Sequence, residues 1–284
     1  MDKRCDGTED CIDSSDEKDC ETIKTFEGYN KNLLPPPRKN ENIFPLNVSI
    51  SISNIYTIDE INGKIKMKWT ILRTWYNPQL KYMNLKRSES LNLLSQNEKK
   101  KIWIPYTNFH NRKESRRTDR KDTVMISSNI NFNFKGSSKV EIMKYREFSG
   151  SENALKYERE LDTTWSCDFH VAWYPFDKQI CYLQFYQNED NIALEPLAIH
   201  YAGPKELSLH NVELVKICHQ RFFGKPGFAV EIHLHRPLVG SILTIFLPSI
   251  ILVIISQVIQ VYQVDHIDMV IGAQLTILLV LATM

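Results

Sequence analysis

The feature that most constrains this chain is a long apolar run, residues 237–262, that contains no charged side chain. Because about 20 apolar residues cross the hydrocarbon layer of a membrane, the run predicts a tilted transmembrane helix. Pro248 in its middle fits this prediction, since membrane helices tolerate proline where neighbouring groups satisfy the freed carbonyl. A buried core helix is the alternative, but the length of the run and its lack of charge count against it.

A second apolar run begins at Met269 and continues to Met284, the last residue. The short connection between the runs predicts a helical hairpin, so residues 237–284 would hold a first and a truncated second transmembrane helix. The chain also begins without the apolar run of a secretory signal. We therefore expect both termini to be those of a fragment.

The region before the membrane segments is polar, and apolar residues alternate with polar ones at several places. Each alternating segment predicts a strand with one buried face, and several at short spacing predict an antiparallel sandwich. We predict an all-β domain over residues 45–236, preceded by a linker over 21–44 that contains three consecutive prolines. The alternating apolar positions are Val48, Ile50 and Ile52; Ile65, Met67, Trp69 and Ile71; Ile130, Phe132 and Phe134; and Phe228, Val230, Ile232 and Leu234.

Charge and motif content exclude two broad classes of function. The formal net charge is +1, which gives no case for nucleic-acid binding. The basic-rich segment 112–122 has interleaved acids, so it predicts a solvated loop rather than a nucleic-acid site. No nucleophile–base pair and no phosphate-binding loop stands out, so we do not predict an enzyme.

Residues 5–20 (CDGTEDCIDSSDEKDC) combine three cysteines with a high density of acidic side chains. So short and polar a segment buries no core, and its order must come from disulfides and a metal. The pattern resembles the C-terminal half of an LDL-receptor class A repeat, so we predict a partial module of this kind over residues 1–20. The resemblance implies a Ca²⁺ site, whose oxygen ligands suit that ion, at Asp6, Asp10, Asp16 and Glu17; a disulfide between Cys5 and Cys20; and a partner for Cys11 upstream of the fragment.

Cys167 and Cys181 bracket thirteen residues, DFHVAWYPFDKQI, with Tyr174-Pro175-Phe176-Asp177 at the centre. This group between two cysteines resembles the signature of Cys-loop (pentameric) ligand-gated ion channel subunits. The resemblance implies a disulfide between the two cysteines, and closing a loop of this size stabilises a fold by about 3 kcal/mol. The apolar tip would then form a stiff knob suited to rest on membrane helices. A disulfide without a role in gating is the alternative.

Further elements follow in the order found in that family. Trp75, Asn77 and Leu80 resemble its Trp-x-Asp-x-x-Leu element, and residues 102–105 resemble its Ile-Trp-x-Pro strand. Residues 234–236, directly before the apolar run, resemble its junction into the first membrane helix. The resemblance implies a β-sandwich ligand domain, four membrane helices of which two are absent here, and five subunits around a pore.

The same resemblance assigns coupling residues at the membrane end of the domain. In the family, the positions of Arg236 and Asp177 meet, so we expect an ion pair between them, shared with an acid of the Asp59-Glu60 turn. Together with Tyr174, Pro175 and Phe176 it would transmit movement of the last strand into the helices, and losing one partner would cost a few kcal/mol. A passive interfacial salt bridge is the alternative.

The predicted ligand loops depart from the aromatic box with which family members bind ammonium groups. The resemblance places the loops at His110 and Asn111, at Asn188, and at Phe222 and Phe223. With so few aromatic side chains, a standard amine agonist is not expected at a homomeric interface. Glu231, His233 and His235 share a strand face, for which a zinc site and a solvated face are the two interpretations.

The second apolar run resembles the pore helix of the family. The resemblance places a gate leucine at Leu279, on one lumen-facing stripe with Gly272, Thr276 and Thr283. The inner mouth lacks the arginine of anion-selective relatives and carries Asp265 and Asp268 instead, which favours cations. The cysteines and a glycosylation sequon at Asn47 orient the β-domain to the outside.

We therefore predict a plasma-membrane, multi-pass subunit of an extracellular ligand-gated ion channel, with cation selectivity favoured. Its expected partners are other channel subunits, in a homo- or heteropentamer, a small-molecule agonist and membrane lipid, but not nucleic acid. Its expected cofactor is the Ca²⁺ ion of the front module. Two alternatives remain: a non-conducting accessory subunit, and an adhesion or lipoprotein-uptake receptor in which the acidic module binds basic partners.

Overall fold

The computed structural model describes residues 8–14, 20–38, 41–83, 85–86, 88–114, 121–127, 147–207, 210–222, 224–261 and 267–283. They form two compact units. The first unit comprises the chain up to residue 168 together with residues 181–204 and 214–232, and the second comprises residues 169–180, 205–213 and 233–284.

Most of the first unit is β-structure, with one 3₁₀ turn (Glu89–Leu91) and one short helix, α1 (Gln96–Lys99). The strands are β1 (Ile23–Thr25), β2 (Phe44–Asp59), β3 (Lys64–Trp75), β4 (Leu80–Met83), β5 (Asn108–Phe109), β6 (Arg112–Glu114), β7 (Lys121–Ile126), β8 (Glu147–Ser149), β9 (Leu155–Ser166), β10 (Lys178–Tyr186), β11 (Ile192–Tyr201), β12 (Asn211–Phe222) and β13 (Lys225–His235). Strands β10, β12 and β13 also contribute residues to the second unit.

The strands form a six-stranded sheet in the order β11-β2-β3-β9-β6, in which β7 also pairs with β9, and a four-stranded sheet in the order β12-β13-β10-β5. A small third sheet has the order β1-β4-β8. The alternating segments at 48–52, 65–71 and 228–234 lie in β2, β3 and β13, as predicted. The predicted strand around Ile130 lies outside the described residues.

One pairing departs from the antiparallel sandwich that we predicted. Strand β11 runs parallel to β2, with Ile192 opposite Phe44 and Tyr201 opposite Ile52. Alternation of apolar residues indicates which face of a strand is buried, but it carries no information about the direction of the neighbouring strand. The prediction of a β-sandwich-like domain is therefore confirmed, and its purely antiparallel form is wrong.

An aromatic cluster fills the core of the first unit. Trp69 and Trp165 come from the large sheet and contact Phe185 of the four-stranded sheet, with ring centroids 5.6 Å apart in both pairs. Phe185 also stacks on Phe228 at 4.9 Å. The Trp69 indole nitrogen donates a hydrogen bond to the Thr163 hydroxyl at 2.8 Å. Because aromatic side chains bury large areas, this cluster is the main apolar contact between the two sheets.

The segment that we expected to be a linker, residues 21–44, is in part an element of the sandwich. Strand β1 pairs with β4, and the Thr22 backbone N–H donates to the Glu98 carboxylate at 2.7 Å. Farther along, the Tyr29 hydroxyl accepts a hydrogen bond from the Trp103 backbone N–H at 2.9 Å. A three-residue strand is too short to show alternation, so the sequence pattern could not reveal it.

The second unit contains the membrane helices. Helix α2 (Leu238–Ser241), a π-helical turn (Ile242–Phe246) and helix α3 (Leu247–Val261) follow one another directly, and α4 spans Ile267–Thr283. The Leu247 N–H bonds to the Ile242 carbonyl, five residues back, immediately before Pro248. Among the described residues, one helical segment, Leu238–Val258, is long and apolar enough to cross a membrane, and a shorter apolar helix covers Val270–Val280. A helix of sufficient length and hydropathy therefore lies where the first span was predicted, and a shorter apolar helix lies where the second was predicted.

Candidate functional site at the base loop

The base loop, residues 167–181, is closed by a disulfide between Cys167 and Cys181, whose Cα atoms are 5.2 Å apart. Both cysteines are buried. The Cys167 backbone N–H donates to the Gly63 carbonyl at 2.9 Å, which ties this end of the loop to the turn between β2 and β3. The disulfide fixes the two ends of a loop whose sequence would otherwise favour no regular structure.

Inside the loop, the Gln179 side chain holds the backbone in place. Its Nε2 donates to the His170 carbonyl at 2.9 Å, and its Oε1 accepts from the His170 N–H at 2.9 Å. The same Nε2 donates to Asp177 Oδ2 at 2.7 Å. Gln179 is buried, so the amide substitutes for the backbone pairing that a strand would supply. The position of Gln179 in the motif indicates no role by itself, since the role depends on contacts with the rest of the loop.

Asp177 and Arg236 form the ion pair that the family resemblance predicts. Arg236 Nε lies 3.1 Å from Asp177 Oδ1, and Arg236 Nη2 donates to Asp177 Oδ2 at 3.2 Å. Their side chains are 2% and 6% exposed, for Asp177 and Arg236 respectively. Two parallel N–H···O bonds make this a bidentate pair, the strongest arrangement that arginine and a carboxylate adopt.

Two opposing effects set the protonation of Asp177. Burial alone would raise its pKa, but hydrogen bonds from Arg236 and Gln179 and the positive charge of Arg236 outweigh burial. The pKa of Asp177 is therefore lowered from its ordinary value. The pair is charged on both sides at neutral pH.

Tyr174 extends the site from the ion pair to the first membrane helix. The Arg236 guanidinium lies over the Tyr174 ring, 4.6 Å from its centroid. The Tyr174 ring also stacks on the Phe246 ring, with centroids 6.4 Å apart and an angle of 19° between the ring planes. Phe246 is the last residue of the π-helical turn. A continuous series of contacts thus runs from the end of β13 through the loop to the helix that follows it.

The tip of the loop carries large apolar side chains on its surface. Trp173 is 80% exposed and Phe176 is 69% exposed, and Val171 is also exposed, whereas Pro175 is buried. The Tyr174–Pro175 peptide bond is cis. Exposed apolar groups of this size, beside a helix suited to a membrane, are typical of a surface that meets lipid or other membrane helices.

The residues predicted for a ligand site lie in the first unit and are not all brought together. The rings of His110 and Phe222 stack, with centroids 6.3 Å apart and planes 30° apart. Asn188 is exposed in the turn after β10. Phe223 lies outside the described residues. The structure therefore joins two of the five predicted residues into one ring pair.

The side chain of Asn111 has a structural role, because it bonds to the backbone of neighbouring strands. Its Nδ2 donates to the carbonyls of Ser166 and Tyr182 at 2.9 and 2.5 Å, and its Oδ1 accepts from the Gln184 N–H at 3.2 Å. These bonds connect Asn111, which lies between β5 and β6, to strands β9 and β10. A side chain with all its hydrogen-bonding atoms engaged by the backbone is a structural bridge, which a motif comparison by position does not reveal.

Other predicted sites are placed as follows. Glu231 is ion-paired with Lys216 at 3.0 Å, which satisfies that carboxylate without a metal.

Asn47, the predicted glycosylation site, lies inside β2, with Thr74 of β3 and Glu195 of β11 as its neighbours on either side. Asn47 is partly exposed, and its glycosylation stays a prediction.

The front module is described only in part. Asp10 is exposed, and Cys20 is disulfide-bonded. Cys5, Asp6, Asp16 and Glu17 lie outside the described residues. The chemistry of the donor set, four carboxylates, fits a calcium ion. Calcium binding stays a prediction.

In the predicted pore helix α4, Gly272, Thr276 and Leu279 are all exposed, and the Thr276 hydroxyl donates to the Gly272 carbonyl at 2.8 Å. The side chain of Thr283 lies outside the described part. Residues 270, 273, 274 and 277 on the other side are less exposed. The predicted stripe is therefore one face of the helix, distinct from the face that packs.

Sequence reasoning missed Phe246 and one polar pair in the membrane helices. Nothing in an apolar run distinguishes Phe246 from its neighbours, so no signal could have found it. Ser256 and Gln274 had a signal, because polar side chains inside membrane spans are rare and mark specific contacts.

The chain thus combines a β-sandwich-like unit, a disulfide-closed loop, a buried Arg–Asp pair and an apolar helix, a combination typical of a class of membrane receptor. A sequence model of the family described as neurotransmitter-gated ion-channel ligand binding domain matches residues 21–214. The match covers more than half of the chain, so the chain belongs to the neurotransmitter-gated ion-channel family and is a Cys-loop receptor subunit. Curated proteins gave no match to this sequence. Members of the family are plasma-membrane proteins with an extracellular domain, and they are typically pentameric, with small-molecule ligands.

Proposed function

We propose that this subunit lines a channel pore and that its base loop carries the binding signal from the extracellular domain to the membrane helices. The observation that supports this is the contact series Asp177–Arg236–Tyr174–Phe246, in which a buried ion pair and two ring contacts join a strand end to a helix. Because Arg236 is one residue from the first helix, any shift of β13 must either move this helix or break the series.

The mechanism follows from the cost of separating buried charges. Moving Arg236 away from Asp177 would separate two opposite charges that are both buried, at a cost of about 3–5 kcal/mol. The pair therefore moves as one body, and the Tyr174 ring moves with it. Phe246 receives this movement at the π-helical turn, and π-bulges in helices are frequent at functional positions.

Exchanging the two charges tests this coupling. Full-length subunits that carry Arg236→Asp or Asp177→Arg are expressed in oocytes, and each single variant should lose agonist-evoked current while the double exchange recovers part of it. The control is the same exchange at Lys225 and Asp190, an ion pair of 2.8 Å whose aspartate is 74% exposed. Loss of current in the single variants without any recovery in the double variant, at equal surface expression, would reject the coupling role.

An agonist is not needed to test whether the subunit forms a pore. A ring of five apolar leucines closes a pore by dewetting, so a polar residue at Leu279 should let water and ions through. We expect Leu279→Thr to produce a standing current that Leu278→Thr does not produce, because Leu278 lies about 100° away around the helix. Standing current that appears only when a relative is co-expressed would indicate a heteromeric pore, whereas no current from Leu279→Thr, alone or with relatives and at equal surface expression, would favour the accessory-subunit alternative.

The proposals for ion selectivity and for the class of agonist rest mainly on the sequence. Acidic rings at Asp265 and Asp268 favour cations, so the reversal potential of the Leu279→Thr current should follow the sodium gradient rather than the chloride gradient. The agonist would be a small molecule other than a simple amine, because the predicted loops supply the His110–Phe222 ring pair but no aromatic box.

The front module is proposed as a calcium-binding segment, with Asp6, Asp10, Asp16 and Glu17 as ligands when the module is complete. A bound Ca²⁺ would neutralise their mutual repulsion and hold the segment in one conformation. The exposed tip residues Trp173 and Phe176 are proposed to rest on the membrane part of the receptor, including its lipid. With these assignments, we propose a multi-pass membrane subunit that assembles into a homo- or heteropentamer.

A further inference from the structure

Two polar side chains inside the membrane helices bond to each other at two points. The Ser256 hydroxyl of α3 donates to Gln274 Oε1 of α4 at 2.7 Å. In return, Gln274 Nε2 donates to the Ser256 backbone carbonyl at 3.0 Å. Both residues are partly buried, and the residues beside them along the helices are apolar except for Gln257, which follows Ser256.

The position of Gln274 around α4 means that its contact with Ser256 determines which face of α4 lies next to α3. At about 100° per residue, Gly272, Thr276 and Leu279 lie roughly on the side of α4 opposite Gln274. The less exposed positions 270, 273 and 277 lie on the Gln274 side. Holding Gln274 against Ser256 therefore turns the Gly272–Thr276–Leu279 face away from α3.

We propose that Ser256 and Gln274 are positioning residues that set the rotation of α4 about its own axis and its height relative to α3. A single hydrogen bond would permit rotation about the bond. Two bonds to different atoms of one serine restrict both the rotation of α4 and its height relative to α3. The identification of the opposite face as the pore lining rests on the proposed function, while the interhelical contact does not.

The contact sets a preference between orientations. Hydrocarbon offers no water to replace a broken bond, yet measured interhelical hydrogen bonds in membrane proteins average only about 0.6 kcal/mol. This corresponds to about a threefold change in the ratio of two helix orientations. Such a bias is large enough to keep one orientation at rest and small enough to permit rotation during gating.

The first experiment measures the contact itself. Full-length subunits in cell membranes carry Ser256→Cys with a second cysteine at position 274, 275 or 278, and a short bifunctional thiol reagent is added. Cross-linked product is expected for Gln274→Cys and at most a third as much for Leu275→Cys or Leu278→Cys. Equal yields at positions 274 and 275 would overturn the proposal, whether or not the channel conducts.

The second experiment measures rotation. A water-soluble thiol reagent labels Thr276→Cys or Ile277→Cys, and the chain without either reporter gives the contribution of native cysteines. At about threefold per bond, the ratio of the two labelling rates should fall about eightfold when Gln274→Leu removes both bonds and about threefold with Ser256→Ala, which removes one. It should be retained with Ser256→Thr, which keeps the hydroxyl. An unchanged ratio in both Gln274→Leu and Ser256→Ala would overturn the proposal.

The two experiments separate this proposal from the proposed function. If Ser256 and Gln274 cross-link selectively but neither reporter is labelled in any background, α4 faces no water and the pore assignment is wrong, while the contact between the helices is supported. If both reporters are labelled at rates that ignore Gln274, the pore is supported and the positioning role is rejected.

Discussion

In the base loop, the side chains of Asp177, Gln179 and Arg236 bond to one another, whereas the residues predicted for a ligand pocket are divided between the fold and the surface. Asn111 bonds to backbone groups on two strands, Asn188 is exposed, and His110 and Phe222 form a ring pair. Both sets of residues were assigned by the same kind of resemblance.

The difference has a physical cause. A disulfide and a bidentate ion pair each require particular atoms at particular distances, so residue type and spacing nearly determine the geometry. A ligand pocket requires only a cavity of suitable chemistry, and many residues can line it. Assignment by position is therefore reliable for the first kind of site and weak for the second.

The largest expected effect concerns the buried ion pair. Asp177→Asn keeps the shape of the side chain but removes the negative charge that faces the buried Arg236 guanidinium, which should destabilise the protein by about 3–5 kcal/mol. The control is Asp190→Asn at the exposed pair with Lys225, where less than about 1 kcal/mol is at stake. Thermal inactivation of the detergent-solubilised full chain measures both, and equal shifts would mean that burial of the pair has no energetic importance.

The next effect concerns the disulfide that closes the base loop. Cys167→Ser with Cys181→Ser should lower stability by about 3 kcal/mol, because the unfolded chain regains the freedom of the open loop. Cys218→Ser changes a thiol that is not in a disulfide and serves as the control. Surface biotinylation should show the double variant retained inside the cell and the control at the surface. Normal surface levels for both would contradict the structural role of this bond.

How far the sequence predicts this molecule depends on the kind of constraint. Alternation located β2, β3 and β13, and the charge-free run located α2 and α3, because burial on one face or in lipid leaves a periodic or continuous apolar pattern. Strand β1 and the parallel pairing of β11 left no such pattern. They depend on hydrogen bonds between distant parts of the backbone, which any residue type can make.

The candidate site follows the same rule. The Cys167–Cys181 and Asp177–Arg236 pairs were expected from the motif, and the structure has both. The Tyr174–Phe246 stack could not be expected, because its geometry depends on how the helix leaves β13. The glycan on Asn47 was predicted from three residues, and such a short pattern does not report that the asparagine is inside a paired strand.

A smaller effect would sharpen the contrast at the ligand loops. Asn111→Ala leaves the carbonyls of Ser166 and Tyr182 and the Gln184 N–H without this partner, which should cost roughly 1–3 kcal/mol. Asn188→Ala, at an exposed turn, should cost less than about 0.5 kcal/mol. The same heating assay compares them. If Asn188→Ala proves the more damaging, Asn188 has a structural partner that position alone does not show.

The smallest expected effect is that of pH on the difference in thermal stability between the natural chain and Asp177→Asn, which we expect to stay constant. Since the pKa of Asp177 is lowered in the folded protein, its ion pair contributes fully above the ordinary carboxyl pKa of about 3.9 and is lost only as pH falls through the lowered value. The gap in thermal stability between the natural chain and Asp177→Asn should therefore not shrink between pH 7 and pH 5. A gap that closes in this range would mean that burial has raised the pKa of Asp177, and that Arg236 does not outweigh the loss of water.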